Sequence, residues 1–333
     1  MLEPVPARDA YLHEPVYGDP TWLETNWFPF IVPERNMRGY VYACFRSNLK
    51  VAMSTIVIWS AEEVLTVLGT DYWDQRMHLP FPNGNLDDYR LNNGLHVKMT
   101  APHERWEITY DGFKDMRLEM EVTAMMPPVT SHMTRLPDGG DFSQFHAVDP
   151  SLAAASGHID QTMMMRGELR LRGETIPIAF PSNRDHSWSP RPEYGHGFGY
   201  FDEGFFGEEF SFHVQTRSRH LDESPVSNGY LLENGEVILL KAGIGRYEMD
   251  GWFTRKLVYE LEDERGRHHR IEGTPTSQFL LPTWPNQFNI VGLTRWTYEG
   301  ESAFGEYKWH WEASEMQARG GLTPSDPELW KNR

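Results

Sequence analysis

The chain has one cysteine, Cys44, among 333 residues. That excludes an internal disulfide framework and any zinc site built on cysteine pairs. Basic residues are scarce as well: 31 Lys and Arg against 48 Asp and Glu leave a net charge of −17. Nucleic-acid binding draws most of its affinity from cations laid against phosphates, so no nucleic-acid partner is expected, and attraction to an anionic membrane surface is disfavoured for the same reason. Long apolar runs are missing too. The longest, Val51 to Trp59, is too short to cross a bilayer as a helix, so no membrane insertion is expected. The opening MLEPVPARDAYLHEP has acids and prolines where a secretory signal needs a basic start and an apolar stretch. A cytoplasmic protein is the expectation. There is also no Rossmann glycine fingerprint, no P-loop and no G-x-S-x-G elbow, which removes the common nucleotide-binding and serine-hydrolase readings.

Aromatic residues, by contrast, are abundant, with 12 Trp, 14 Tyr and 18 Phe; such rings line cores or pockets. Residues 1–38 hold Pro4, Pro6, Pro15, Pro20, Pro29 and Pro33 and read as an extended N-terminal arm. From Gly39 the pattern is β. YVYACFR and VAMSTIVIW flank a turn at Ser47 and Asn48, and in DMRLEMEVTAM the residues Met116, Leu118, Met120, Val122 and Ala124 alternate with polar ones. A period of two marks a half-buried antiparallel strand. Residues 126–156 break the pattern with prolines and glycines and read as a long connection. Strands resume at Gly157, with turns at Arg172–Glu174, Asn234-Gly235, Arg265-Gly266 and Glu299-Gly300. Roughly fifteen strands at this spacing give an all-β class, a sandwich or barrel. Ser60 to Leu68 is the best candidate for a short helix, or for one more strand. The modules expected are an arm at 1–38, a first β module at 39–156, a second at 157–319 and a tail at 320–333.

Chemistry concentrates in NRDHSWSPR, Asn183 to Arg191. A core strand wants apolar residues at alternate positions, and a solvated loop has no need of a Trp between charges, so this stretch reads as the wall of a site. In a strand, His186 and Trp188 share one face and Asp185 and Ser187 the other. Arg184 and Arg191 are placed to hold Asp185 ionised. The bland alternative is a structural knot of Arg–Asp pairs closed by an indole. A second pair, His158 and Asp160, points to one side of a strand start, a carboxylate orienting an imidazole as in general acid–base catalysis, or a satisfied core pair. The metal signature is incomplete: no tight H-x-H is followed by a carboxylate, and His158-x-Asp160 is the nearest approach. No metal is therefore expected.

The order GHIDQ…MRGELRLRGETIPI…NRDHSWSPR, then YEGESAFGEYKWHWE, together with the opening FPFIVPERNMRGYVYACFR, resembles the hydroxyneurosporene synthase and carotenoid 1,2-hydratase-like superfamily. More narrowly it is similar to bacterial members with a DHSWxPR signature. The resemblance runs from about Trp27 to Glu312, and Ser189 stands where the signature usually has Gly. It implies two consecutive lipocalin-like antiparallel barrels or half-barrels with a ligand site near their junction. It further implies lipophilic isoprenoid or phenolic substrates, water added or removed at a double bond, or cyclisation, and no redox cofactor. By the resemblance, His186 and Trp188 carry the motif's implicated His and Trp. Tyr200 and Asp202 are the nearest equivalents of an implicated Tyr and Asp.

The expectation is thus a cofactor-independent lyase, hydratase or cyclase on a hydrophobic terpenoid, steroid or phenolic substrate. Asp185 or Asp160 is the expected acid, held neutral by desolvation, with His158 or His186 as partner. Trp188 would wall a cation, and Arg184 and Arg191 would fix the carboxylate or the substrate's polar end, with Tyr200 and Asp202 also binding substrate. A non-catalytic carrier of hydrophobic molecules is the first alternative and a metal-dependent isomerase or oxygenase the second. Oligomeric state is left open, a homodimer included.

Overall fold

The computed structural model describes residues 2–131, 133, 156–191, 199–216 and 223–318. Its strands are β1 (Trp22–Val32), β2 (Met37–Arg46), β3 (Val51–Trp59), β4 (Glu63–Val64), β5 (Tyr72–Pro80), β6 (Asp88–Arg90) and β7 (Leu95–Ala101). Then come β8 (Arg105–Asp111), β9 (Arg117–Ala124), β10 (Val129–Thr130), β11 (Gly157–Leu171), β12 (Glu174–Pro190) and β13 (Gly199–Phe206). The last are β14 (Phe210–Thr216), β15 (Glu223–Glu233), β16 (Glu236–Asp250), β17 (Phe253–Asp263), β18 (His268–Trp284), β19 (Gln287–Tyr298) and β20 (Glu301–Glu312). A single turn of helix, Ala313–Ala318, follows. The all-β, lipocalin-like reading holds. No helix among the described residues is long and apolar enough to cross a membrane.

The strands fall into two compact units, one on residues 2–58, 71–131 and 156–191, the other on 59–70, 199–216 and 223–318. The first is an open sheet in the order β5-β3-β2-β1-β12-β11-β9-β8-β7-β6, with β10 beside β11. The second is a barrel: β17-β16-β15-β14-β13-β20-β19-β18 closes through a β17–β18 pairing, and short β4 lies parallel to β18. Closure removes the unpaired edges that an open sheet exposes. Hairpin turns follow their residues. Arg172 and Gly173 between β11 and β12, and Asn234 and Gly235 between β15 and β16, all have positive φ, as a two-residue turn matching strand twist requires.

Burial divides the first unit. In β8 and β9 every second residue is buried, and the apolar set Met116, Leu118, Met120 and Val122 joins Phe28, Phe30, Trp106 and Met163 in one core. In β1, in β2 and in the end of β12 that bears the motif, nearly every residue is buried, so both sheet faces are covered there. Polar groups at such positions lose their water on either side, and their chemistry must be satisfied internally.

Two expected boundaries move. Residues 22–32 are not arm but β1, paired to β2 on one side and to β12 on the other. The prolines misled because Pro29 lies past the stretch Trp22–Trp27 that pairs with β12, so on that side its missing N–H costs no ladder bond. Residues 157–190, expected to open the second module, instead form the β11–β12 hairpin, which pairs back to β9 and β1 in the first sheet. Chain proximity had assigned them forward. Ser60–Leu68 yields β4 and a 3-10 turn at Val67–Gly69. His269, beside the Arg265-Gly266 turn, is buried between Tyr298 and Asp263. The expected tail at 320–333 and most of the 126–156 connection lie outside the described residues.

Candidate active site

The motif strand is held between two partners whose register fixes what faces what. Trp188 stands opposite Glu24 of β1 and Gly157 of β11, His186 opposite Asn26 and Ile159, and Arg184 opposite Gln161. One residue out of step, Ser187 stands opposite Thr25 and His158, and Asp185 opposite Trp27 and Asp160. Directly opposed residues share a face and neighbours along a strand do not. NRDHSWSPR is therefore two half-sites back to back.

On the face bearing His186, the centre is Glu24, fully shielded from solvent. Its Oε1 accepts from His186 Nε2 at 2.7 Å and from His13 Nδ1 at 2.9 Å, while Oε2 accepts from the His13 backbone N–H at 2.9 Å. Burial alone would raise the Glu24 carboxyl, but the hydrogen bonds from the two histidines outweigh it and hold it below its usual value. His186 is pushed down to about 4, chiefly by burial, so it is a neutral imidazole at pH 7. His13 also stacks on Trp188, with centroids 3.6 Å apart and planes 10° from parallel. The indole can lie there because residue 157 is glycine; a Cβ would sit 2.2 Å from the ring. Further along the same face Arg184 lays its guanidinium 4.7 Å from the centre of the Trp106 ring, in the core. Burial lowers it to about 10, well below an ordinary guanidinium though still charged at pH 7.

On the other face His158 is the hub. Its Nε2 lies 3.2 Å from Asp160 Oδ1 and 3.3 Å from Asp185 Oδ2. Asn183 Nδ2 donates to Asp160 and Ser187 Oγ to Asp185, each at 3.2 Å. Arg191 donates through Nη2 to Ser187 at 2.7 Å and through Nε to Ser189 at 3.0 Å, and the Thr25 and Ser187 hydroxyls meet at 2.8 Å. Burial pulls His158 down, but the charges of Asp160 and Asp185 prevail and raise it to about 10, so it is an imidazolium. Trp27 is directly across from Asp185 and packs against Tyr40 and Tyr42 at 4.1 and 5.3 Å between centroids. The Asp185 side chain, 17% exposed, is the wettest of the three.

Three expectations are thereby corrected. His186 and Trp188 do not act with Asp185 and Asp160, because strand alternation puts them on opposite faces. Arg184 does not flank Asp185 either; its place is over Trp106, and Asp185 takes its close charge partner from His158. The indole beside the carboxylates is Trp27, not Trp188. Tyr200 and Asp202 lie in the second unit's barrel, the module in which the sequence places them. There Tyr200 stacks on Tyr247 and Trp309, and Asp202 accepts from the Tyr259 hydroxyl and the Lys308 backbone N–H. Burial pushes the Asp202 carboxyl well above the carboxylate range.

Glu24, His13, Trp27 and Asn183 were missed. Glu24 had a signal, as the one charged residue in the strand WLETNWFPFIV: a lone carboxylate in an otherwise uncharged β run needs a buried partner. His13 had none. Two sets of donors, His13–Glu24–His186 and His158–Asp160–Asp185, each gather ligand atoms within 4.8 Å of one another, close enough to hold a cation.

An open antiparallel sheet and a closed eight-stranded barrel define a protein of lipocalin-like fold. Within that class the chain belongs to the family described as domain of unknown function DUF7064, which matches residues 6–313. No curated protein sequence matches it. Among solved structures it is similar to CghA, with a TM-score of 0.56 at 10% identity over 88% of each chain. It is also similar to a Nitrosomonas europaea protein assigned provisionally to AttH, at 0.54 and 12% over 86% of this chain and 91% of that one. Kievitone hydratase from Nectria haematococca follows at 0.50 and 12%, over 89% and 92%. At these identities the likeness is one of fold.

Proposed function

We propose that the chain is a lyase of the hydratase or cyclase type, acting on a carbon–carbon double bond of a hydrophobic small molecule. Proton transfer is assigned to His158 with Asp160 and Asp185. The observation that carries the reading is the buried triad itself: an imidazolium at 3.2 and 3.3 Å from two carboxylates, beside the aromatic wall of Trp27 and Tyr42. A carrier of apolar ligands needs no such group, and burying charge is costly unless it is paired and used. The fold shared with kievitone hydratase supports the reaction class.

The raised His158 also narrows the substrate. Protonating an isolated alkene takes a strong acid, whereas an imidazolium held charged by two carboxylates is suited to stabilising negative charge that develops on a phenolate or enolate oxygen. The alkene is then conjugated to an oxygen function, as in a phenol or an enone. His158 stabilises the negative charge on that oxygen, and the more accessible Asp185 moves the proton at carbon. Arg191, through Ser187, fixes the Asp185 carboxylate.

Incubation with prenylated phenols and conjugated enones in D2O, read by mass spectrometry, tests this. Deuterium enters at carbon, or a water mass is gained or lost, and the His158→Asn and Asp185→Asn variants lose at least about a hundredfold of that rate, the usual scale for a general acid or base. Tight binding of these compounds with no exchange in the wild type would make the protein a carrier and end the proposal.

A further inference from the structure

The set on the opposite face, His13, Glu24 and His186, has a different composition: two imidazole nitrogens and one carboxylate oxygen from three separate segments. We infer that it is a binding site for a divalent first-row transition ion such as Zn2+ or Fe2+, held by His13 Nδ1, Glu24 Oε1 and His186 Nε2. This goes beyond the reaction proposed above and does not depend on it.

The geometry is the first argument. Metal–ligand bonds of about 2.0–2.2 Å at tetrahedral or octahedral angles put neighbouring donor atoms roughly 3.0–3.4 Å apart. Glu24 Oε1 lies 2.9 Å from His13 Nδ1 and 2.7 Å from His186 Nε2, and all three atoms fall within 4.8 Å of one another. Spreading them by a few tenths of an ångström admits the ion. The second argument is the far side of His13. Its Nε2 is buried without a hydrogen-bond partner, yet Asp9 Oδ1 stands 3.7 Å away. With Nδ1 on a metal the proton moves to Nε2 and points at that carboxylate, the outer contact that metal-bound histidines usually make.

The ligands are also positioned in advance. The His13 backbone N–H is tied to Glu24 Oε2, and the preceding Leu12 N–H to Asn85 Oδ1 at 2.6 Å. The His13 ring is clamped on Trp188. Its side chain is 21% exposed, whereas Glu24 and His186 are sealed, so the ion enters past His13. Three protein ligands leave coordination positions for water or a substrate oxygen, as in catalytic rather than structural sites. The His158 set carries one nitrogen and two carboxylates, a donor set less suited to these ions.

The full chain, stripped with chelator and dialysed against Zn2+, is measured for bound metal, and Co2+ is titrated by visible absorption. One equivalent of Zn2+ and a Co2+ spectrum with nitrogen ligation are expected. Both should weaken at least about a hundredfold in Glu24→Gln and His13→Gln, and both should persist in His158→Asn. His13→Gln alters a partly exposed residue outside the sheet, so it decides the matter even if Glu24→Gln does not fold. Absence of stoichiometric Zn2+ in the wild type overturns the site. So does Zn2+ that survives His13→Gln, or that is lost with His158→Asn.

Discussion

His158 and His186 sit on neighbouring strands one step out of register, His186 being opposite Ile159. Both are buried, yet one is driven up to about 10 and the other down to about 4. The rings are chemically identical and desolvation acts on both in the same direction. What differs is the number of negative charges each meets. Two carboxylates converge on His158, enough to overcome burial. His186 shares the single carboxylate of Glu24 with His13 and has the Arg184 cation on its own face, so burial wins. Alternation along two neighbouring strands thus sets an imidazolium at pH 7 on one face and a neutral imidazole on the other.

Removing the hub of the charged side tests that balance most severely. His158→Leu strands Asp160 and Asp185 without their counter-ion, and a broken buried pair costs about 3–5 kcal/mol. Urea unfolding at pH 7 should show that loss. The triple variant His158→Leu, Asp160→Asn, Asp185→Asn should regain most of it, because no uncompensated charge remains. If His158→Leu alone is neutral, the triad is not charged as described.

The opposed shifts also predict opposite pH limbs. His158 is raised above its unfolded value of 6.5, so the folded state holds its proton more tightly. Its stabilisation is fully present below pH 6.5 and is lost as pH rises through about 10. His186 is depressed, so the unfolded state takes the proton first. Its penalty is absent above pH 6.5 and grows as pH falls towards about 4. By linkage the alkaline limb is roughly 5 kcal/mol and the acid limb roughly 3 kcal/mol. Stability measured against pH should lose its alkaline slope in His158→Gln and soften its acid slope in His186→Gln. The same slope vanishing in both would mean the two faces are one coupled network.

A smaller effect separates the faces sterically. Gly157→Ala places a methyl 2.2 Å from the Trp188 indole, which must shift and break its stack on His13. Overpacking of this kind costs about 1–3 kcal/mol. The change should appear in tryptophan fluorescence and in the acid limb, and leave the alkaline limb of His158 in place.

How much of this the sequence carried depends on the range of the contact. The alternation in DMRLEMEVTAM, the Arg172-Gly173 and Asn234-Gly235 turns and the same-face pairing of His158 with Asp160 are decided within a few residues, and all were legible. So was the split of Asp185 and Ser187 from His186 and Trp188, since period two requires it. Its consequence is that the two sets face opposite sides of the sheet. The opposition of 160 and 185 follows from the Arg172-Gly173 turn once the hairpin is drawn, whereas the contact of Glu24 with His186 is set by strand order, which no local stretch of sequence contains. His13 is the extreme case. It lies among prolines without periodicity, and only the fold brings it onto Glu24.

The gentlest test concerns Arg184, which shares a face with His186 but makes no use of it. Its Nε and Nη1 are buried without hydrogen-bond partners, and its guanidinium rests on Trp106. A buried cation of this kind is poor support for a fold, and an apolar residue of similar volume is often neutral or better. Arg184→Met should therefore change stability by less than about 1 kcal/mol, with the methionine packing on the indole. If Arg184 instead binds the polar end of a substrate, stability stays level while KM rises and kcat is spared, since binding common to ground and transition states is what is removed. A stability loss as large as that of His158→Leu would place Arg184 with the ion network across the sheet and erase the distinction between the two faces.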